Sequence, residues 1–178
     1  MLRKTLYGTL TASLLLAGAR TAVAQFASPI HFNVNAGAAF PVSDLGDVAN
    51  TGFHIGAGLE LHAPLMPVGL RFDGAYDRMG IQDADAAFSI WNLTANAVLS
   101  PMMGPLYLIG GIGFYGSDVT GSDVLVDQPS QTDFGFNLGA GFSLPLTGFS
   151  TFIEGRWHRI NTEGGSTQYI PIVFGIRF

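Results

Sequence analysis

The sequence predicts an all-β fold, an eight-stranded antiparallel up-and-down transmembrane β-barrel, and three observations carry that expectation. Ile170, Ile172, Phe174, Ile176 and Phe178 put a large apolar group at every second position of one segment, the pattern of a ribbon with a single apolar face. Charged residues make up only 12% of the chain, against about 25% in an ordinary soluble domain. Beyond residue 24 no apolar run reaches the ~18 residues that a transmembrane helix needs, so strands must carry any lipid contact.

Residues 1–24 read as a cleaved signal peptide. Arg3 and Lys4 form a positive start, Leu6 to Ala17 an apolar stretch, and Ala22-Val23-Ala24 a small-residue cleavage site before Gln25. Residues 25–178 then form one domain with five arginines, no lysine, thirteen acidic residues and no cysteine. That balance argues against a nucleic-acid partner, and neither a disulfide framework nor a thiolate metal site is available.

Two kinds of connection alternate along this domain. Long polar or acidic stretches cover 41–52, 79–87, 116–133 and 161–168, and short proline-bearing ones lie at 63–67, 100–105 and 145–148. The strands between them are expected at 30–40, 53–62, 68–78, 88–99, 106–115, 134–144, 149–160 and 169–178. Their lengths suit the ~9–11 residues with which a tilted strand crosses a bilayer. An even count puts both ends on one side and all four long connections on the other.

The second segment shows the faces plainly: Phe53, Ile55, Ala57, Leu59 and Leu61 alternate with His54, Gly56, Gly58, Glu60 and His62. The sixth repeats this with Phe134, Phe136, Leu138, Ala140, Phe142 and Leu144 against glycine, asparagine and serine. The fourth segment calls for a bulge or a later start near Trp91, and the fifth is apolar on both faces, which leaves its phase open. Aromatic residues stand at the long-connection end of every segment. Phe40, Phe53, Tyr76, Trp91 (or Phe88 in its place), Phe134 and Trp157 are the core of an expected aromatic girdle, with Phe114 or Tyr115, and Tyr169 completing it, although alternation turns Tyr169 inward.

Composition decides which face points out. A wetted outer surface would be rich in lysine and glutamate, whereas the polar face here is glycine, asparagine, histidine and a few charges, as suits a narrow interior. The interior network is therefore expected to comprise Glu60, Arg71, Asp73, Glu154, Arg156, His158 and Arg177, with His54 and His62 beside them. Arginine–carboxylate pairs would cross-link strands and plug the lumen; the alternative is a polar conduit.

The alternation from Ile170 to Phe178, the segment Phe152-Ile153-Glu154-Gly155-Arg156-Trp157-His158 and the glycine-rich Leu106 to Gly113 resemble the small eight-stranded outer-membrane barrels, OmpX-like and opacity-type proteins among them. The resemblance spans residues 25–178. It implies a Gram-negative outer-membrane location, contact with outer-membrane lipid, a monomeric barrel, and a terminal-strand signal (Ile170, Ile172, Phe174, Ile176, Phe178) read by the barrel-assembly machinery. It implies no cofactor, and it leaves the role open among a structural or adhesin-like surface protein, a narrow channel and a lipid A-modifying enzyme.

Motifs for chemistry are sparse. Gly111-x-Gly113-x-x-Gly116 lies in a strand with no helix following, so curvature explains it better than a nucleotide, and the sequon Asn92-Leu93-Thr94 falls inside a membrane strand. His158, Glu154, Ser166 and Glu163 permit a hydrolytic triad by position, but no His-x-Ser element of the deacylase barrels occurs. Neither catalytic nor metal residues are assigned. Asp83 and Asp85 lack an Asp-x-Asp-x-Asp-Gly run, and the acids of the long connections (Asp44, Asp47, Asp83, Asp85, Asp118, Asp123, Asp127, Asp133 and Glu163) serve first for solubility. Val124-Leu125-Val126 between acidic flanks is the expected contact point for a surface partner.

Overall fold

Alternating side chains commit this chain to sheets with one apolar face, and a sheet of eight strands hides its edges by closing on itself. The computed structural model describes residues 30–62, 66–100, 104–121, 131–162 and 164–178. The expected signal peptide, Val124-Leu125-Val126 and Glu163 lie outside them. The strands are β1 (Ile30–Val42), β2 (Gly52–His62), β3 (Val68–Gly80), β4 (Ala86–Leu99), β5 (Leu106–Gly121), β6 (Gln131–Leu146), β7 (Phe149–Thr162) and β8 (Gly165–Arg177). Each pairs antiparallel with its sequence neighbours, and β1 closes the barrel against β8. The seam is tied by reciprocal backbone bonds between Phe32 and Phe178, 3.2 and 2.8 Å long.

Pairing runs further than alternation alone predicts, chiefly at the long-connection end. β4 starts at Ala86, β5 continues to Gly121, and β8 starts at Gly165. The stretch 161–168, expected as a long loop, is mostly strand: Thr162 pairs with Gly165, and Gly164 takes the left-handed conformation at φ +88° that so tight a reversal requires. Asp118 and Asp133, expected in loops, likewise belong to β5 and β6.

The expected bulge or late start in β4 does not occur. Its register is unbroken from Val68↔Leu99 to Gly80↔Ala87 on one side and from Ala86↔Gly121 to Leu99↔Leu108 on the other. Phe88 and Ile90 face inward because the lumen is apolar at this end, so a greasy residue on the inner face is in phase. The same reason resolves β5. Leu106, Leu108, Ile112 and Phe114 point out, while Tyr107, Ile109 and Tyr115 are buried inside.

Outward residues make a continuous apolar belt, with Phe32, Ile55, Leu70, Leu93, Leu106, Leu138, Ile153 and Phe174 all exposed. Phe40, Phe53, Trp91 and Phe134 are also exposed on this face, and Tyr76 and Trp157 are half-buried on it. Tyr169 is not part of such a girdle. It is fully buried in the lumen, because it shares the inner face of β8 with Val173 and Arg177.

Candidate functional site

Three layers fill the lumen. At the long-connection end Ala39, Met79, Ile90, Tyr115, Ile160 and Tyr169 pack with Ala49, flanked by Leu45 and Phe88. At the opposite end Val98, Tyr107, Ile109, Phe152 and Val173 form a second apolar cluster. Between them lie buried charges and amides.

The charged centre is built by β3 and β7, which face each other across the barrel. Residues two apart on one strand share a face, so Arg71 and Asp73 meet Glu154 and Arg156. Arg71 Nη2 donates to both Glu154 oxygens at 2.7 Å, and its Nε donates to Asp73 Oδ2 at 2.9 Å. Arg156 Nη1 donates to the same Asp73 oxygen at 3.1 Å, and Nε and Nη2 donate to Glu154 Oε1. Two cations and two anions thus close a ring. Tyr107 Oη adds a bond to Glu154 at 2.7 Å and Asn96 Nδ2 one to Asp73 at 2.9 Å. Pairing of this kind offsets the cost of taking the charges out of water, although Arg71 Nη1 and Asp73 Oδ1 are buried without a hydrogen-bond partner among the described residues.

A second network, of histidines, amides and phenols around Asp77, sits nearer the long-connection end. His54 Nδ1 lies 2.6 Å from Asp77 Oδ1 and its Nε2 lies 3.0 Å from Asn35 Oδ1. Asn92 Nδ2 donates to Tyr169 Oη at 3.3 Å and reaches Asp77 Oδ2 at 3.5 Å. The Tyr169 ring stacks on His158 at 4.8 Å, and His158 Nδ1 lies 3.0 Å from Tyr115 Oη. At the short-turn end Arg177 Nη2 lies 3.2 Å from Glu60 Oε2, with its guanidinium over the rings of Tyr107 and Phe152. His62 is 3.9 Å from Glu60. Asp77, Asn92, Tyr107 and Tyr169 also belong to the interior network, beyond the residues expected from the sequence. Parity could have found them, since Asp77 lies two inner-face positions beyond Asp73.

Large and small side chains interlock around this core. Tyr107 pairs in register with Gly141, and Phe152 with Gly175. A Cβ on either glycine would fall 2.2 Å from the facing ring, so only glycine leaves room for the rings to lie across the neighbouring strand. The space left beside the charged ring is a cavity of about 20 Å³, bordered by His54, Asp73, Asn92, Glu154, Arg156 and His158.

The geometry separates the residues considered for a triad. His158 is buried in the lumen, Glu154 is saturated by two arginines and a tyrosine, and Ser166 accepts a bond from Gln168, which also accepts one from the outward Trp157 indole. The nucleophile candidate therefore lies outside the wall and the base inside it. Among the described residues no three His, Asp or Glu side chains come together as a metal site. Ile170, Ile172, Phe174, Ile176 and Phe178 lie on the lipid-facing side of the closing strand.

The family model described as outer membrane protein beta-barrel domain matches residues 9–178. Among solved structures the chain is similar to Neisserial surface protein A, with 20% identity over 84% of this chain and 96% of that one and a TM-score of 0.62. It is also similar to Ail, the attachment invasion locus protein of Yersinia pestis, at 14% identity over 85% and 100% of the two chains and a TM-score of 0.56. A third is the N-terminal barrel domain of Pseudomonas aeruginosa OprF, at 13% identity over 83% and 97% and a TM-score of 0.52. No curated protein matches the sequence. At these identities the structural likeness is one of fold.

Proposed function

The chain belongs to the outer membrane protein beta-barrel domain family, and from that premise we propose that it is a non-conducting surface scaffold of the outer membrane, a plugged barrel that presents acidic connections to the exterior. The observation that carries this reading is the layered lumen, in which the Arg71–Asp73–Glu154–Arg156 ring sits between two apolar clusters. Water and ions crossing the barrel would have to part all three layers. The exterior connections 43–51 and 81–85 carry Asp44, Asp47, Asp83 and Asp85, and in the sequence Val124-Leu125-Val126 falls between β5 and β6 with acidic flanks, so acids and this apolar stretch are what the reading offers to a partner.

Single-channel recording of the refolded barrel in a planar bilayer tests the reading. Silence from a demonstrably folded barrel is the expected result. Discrete steps altered by Arg71, Arg156 or Arg177 substitution would replace the scaffold with a narrow channel, and a change in lipid A mass on expression, lost with His158→Ala, would replace it with an enzyme. The same reading takes the barrel as a monomer, delivered by removal of residues 1–24 and inserted through its β8 signal. Sequencing the membrane-inserted protein should find Gln25 first. Deleting Phe178 should lower insertion far more than it lowers the stability of barrels already folded.

A further inference from the structure

We propose that the outer face of β3, β4 and β5 is a binding site for a phosphate-bearing, acylated lipid of the outer leaflet, with Arg78 as the phosphate ligand and an apolar groove below it for an acyl chain. The proposal starts from an inventory of cations. Among the described residues there are five arginines and no lysine. Arg71, Arg156 and Arg177 are committed to carboxylates inside the lumen. Arg78 and Arg159 are exposed on the outer face near the long-connection end, and neither lies within ion-pair distance of a described carboxylate.

The surface beneath the two arginines differs. Below Arg78 the outer positions of β3 are Tyr76, then Gly74, which lacks a side chain, and across from these strands Ala95 is small. The result is an apolar groove of about 540 Å³ walled by Phe72, Leu93, Ala95, Ile112, Phe114 and Phe134. It starts about 13 Å below Arg78 along β3, at about 3.3 Å per residue. Tyr76 stands between groove and cation, its hydroxyl fixed by a 3.0 Å bond to Ser89, and Trp91 is its register partner. Below Arg159 the Trp157 ring packs edge-on against Phe136 at 5.5 Å and fills the surface.

A guanidinium at the headgroup level, aromatic rings at the interface and an acyl-wide groove in the hydrocarbon zone match the parts of one lipid in order along the membrane normal. Charge complementarity selects an anionic headgroup, since Arg78 is the cation that this face offers among the described residues. The carboxylates around it are Asp118, which lies two strands away across Ser89 on the same outer row, and Asp83 and Asp85 on the connection above. These carboxylates repel a phosphate, so Arg78 has to hold it against them.

The two tryptophans of the chain supply the test, because Trp91 borders the site and Trp157 stands on the far wall. The whole barrel is reconstituted in phosphatidylcholine vesicles holding a few mole per cent of phosphatidic acid with brominated chains, or of diacylglycerol with the same chains. With Trp157→Phe, Trp91 fluorescence should be quenched as if phosphatidic acid were enriched roughly fivefold over random mixing, the scale of one arginine against an anionic headgroup. Arg78→Gln should abolish the enrichment, Ala95→Phe should reduce it by filling the groove, and Asp118→Asn should raise it. All three sites face lipid or the interface, so folding is checked by heat-modifiable gel migration.

Equal quenching by diacylglycerol would overturn the role of the phosphate. Equal enrichment at Trp157 in a Trp91→Phe barrel would overturn the site in favour of a uniform lipid annulus. Stabilisation by inorganic phosphate through Arg78 without lipid enrichment would overturn the lipid and leave a bare anion contact.

Discussion

The charged centre of the lumen and the apolar layer at its long-connection end occupy the same cylinder, yet they fill it by opposite means. The centre holds Arg71, Asp73, Glu154 and Arg156 in a closed set of bonds, so every member is needed by at least two others. The apolar layer holds Met79, Ile90 and Ile160 by contact alone. Removing one group from the first leaves an uncompensated buried charge, whereas removing one from the second loses area and opens a void. The comparison teaches that the same volume of missing side chain has different costs a few ångströms apart.

Breaking the ring should have the largest effect. Glu154→Ala strips both guanidiniums and the Tyr107 hydroxyl of their shared acceptor, and urea unfolding in lipid vesicles should show a loss of about 3–5 kcal/mol. A loss below that of an ordinary core truncation would remove the distinction between the layers. The double change Arg71→Met with Glu154→Met sharpens it. Arg156 keeps Asp73 at 3.1 Å, charge stays balanced, and the double variant should be more stable than Glu154→Ala despite two substitutions.

In the apolar layer Met79→Ala should cost about 2–3 kcal/mol by the same unfolding measurement, with the ion-pair ring unaffected. Gly141→Ala tests the interlock between layers: the new methyl must displace the Tyr107 ring, weakening its bond to Glu154, at about 1–3 kcal/mol. The smallest effect belongs to the outer wall. Trp157→Phe keeps the ring at the interface and gives up one 3.2 Å bond to Gln168, so unfolding should shift by about 1 kcal/mol or less.

Much of this architecture was legible because period-two alternation fixes a face for each residue. Phe53 to His62 and Phe134 to Leu144 could be assigned directly, and so could Glu60, Arg71, Asp73, Glu154 and Arg156, since a charge on the inner face of a lipid-facing strand has only the lumen to enter. β4 and β5 were harder for one physical reason. Alternation reports polarity, and where the lumen itself is apolar, at Phe88, Ile90, Ile109 and Tyr115, both faces look alike. Strand ends were also hidden, because above the membrane polar residues such as Asn161, Thr162, Ser166 and Thr167 can pair without apolar partners. Which carboxylate meets which arginine depends on the register of β3 against β7 across the barrel, and no local pattern encodes that.

The placement of the five arginines also bears on how this molecule fares among proteases. Arg71 and Arg78 lie in β3, Arg156 and Arg159 in β7, and Arg177 in β8, and beyond residue 29 the sequence has no basic residue in any connection. A protease that cuts after lysine or arginine needs some residues of extended, unpaired backbone to enter its cleft, and every such bond here is engaged in the sheet. The exterior connections thus give trypsin-like enzymes nothing to cut, and a single brief digestion would distinguish the closed barrel from any form in which β3 or β7 has come loose.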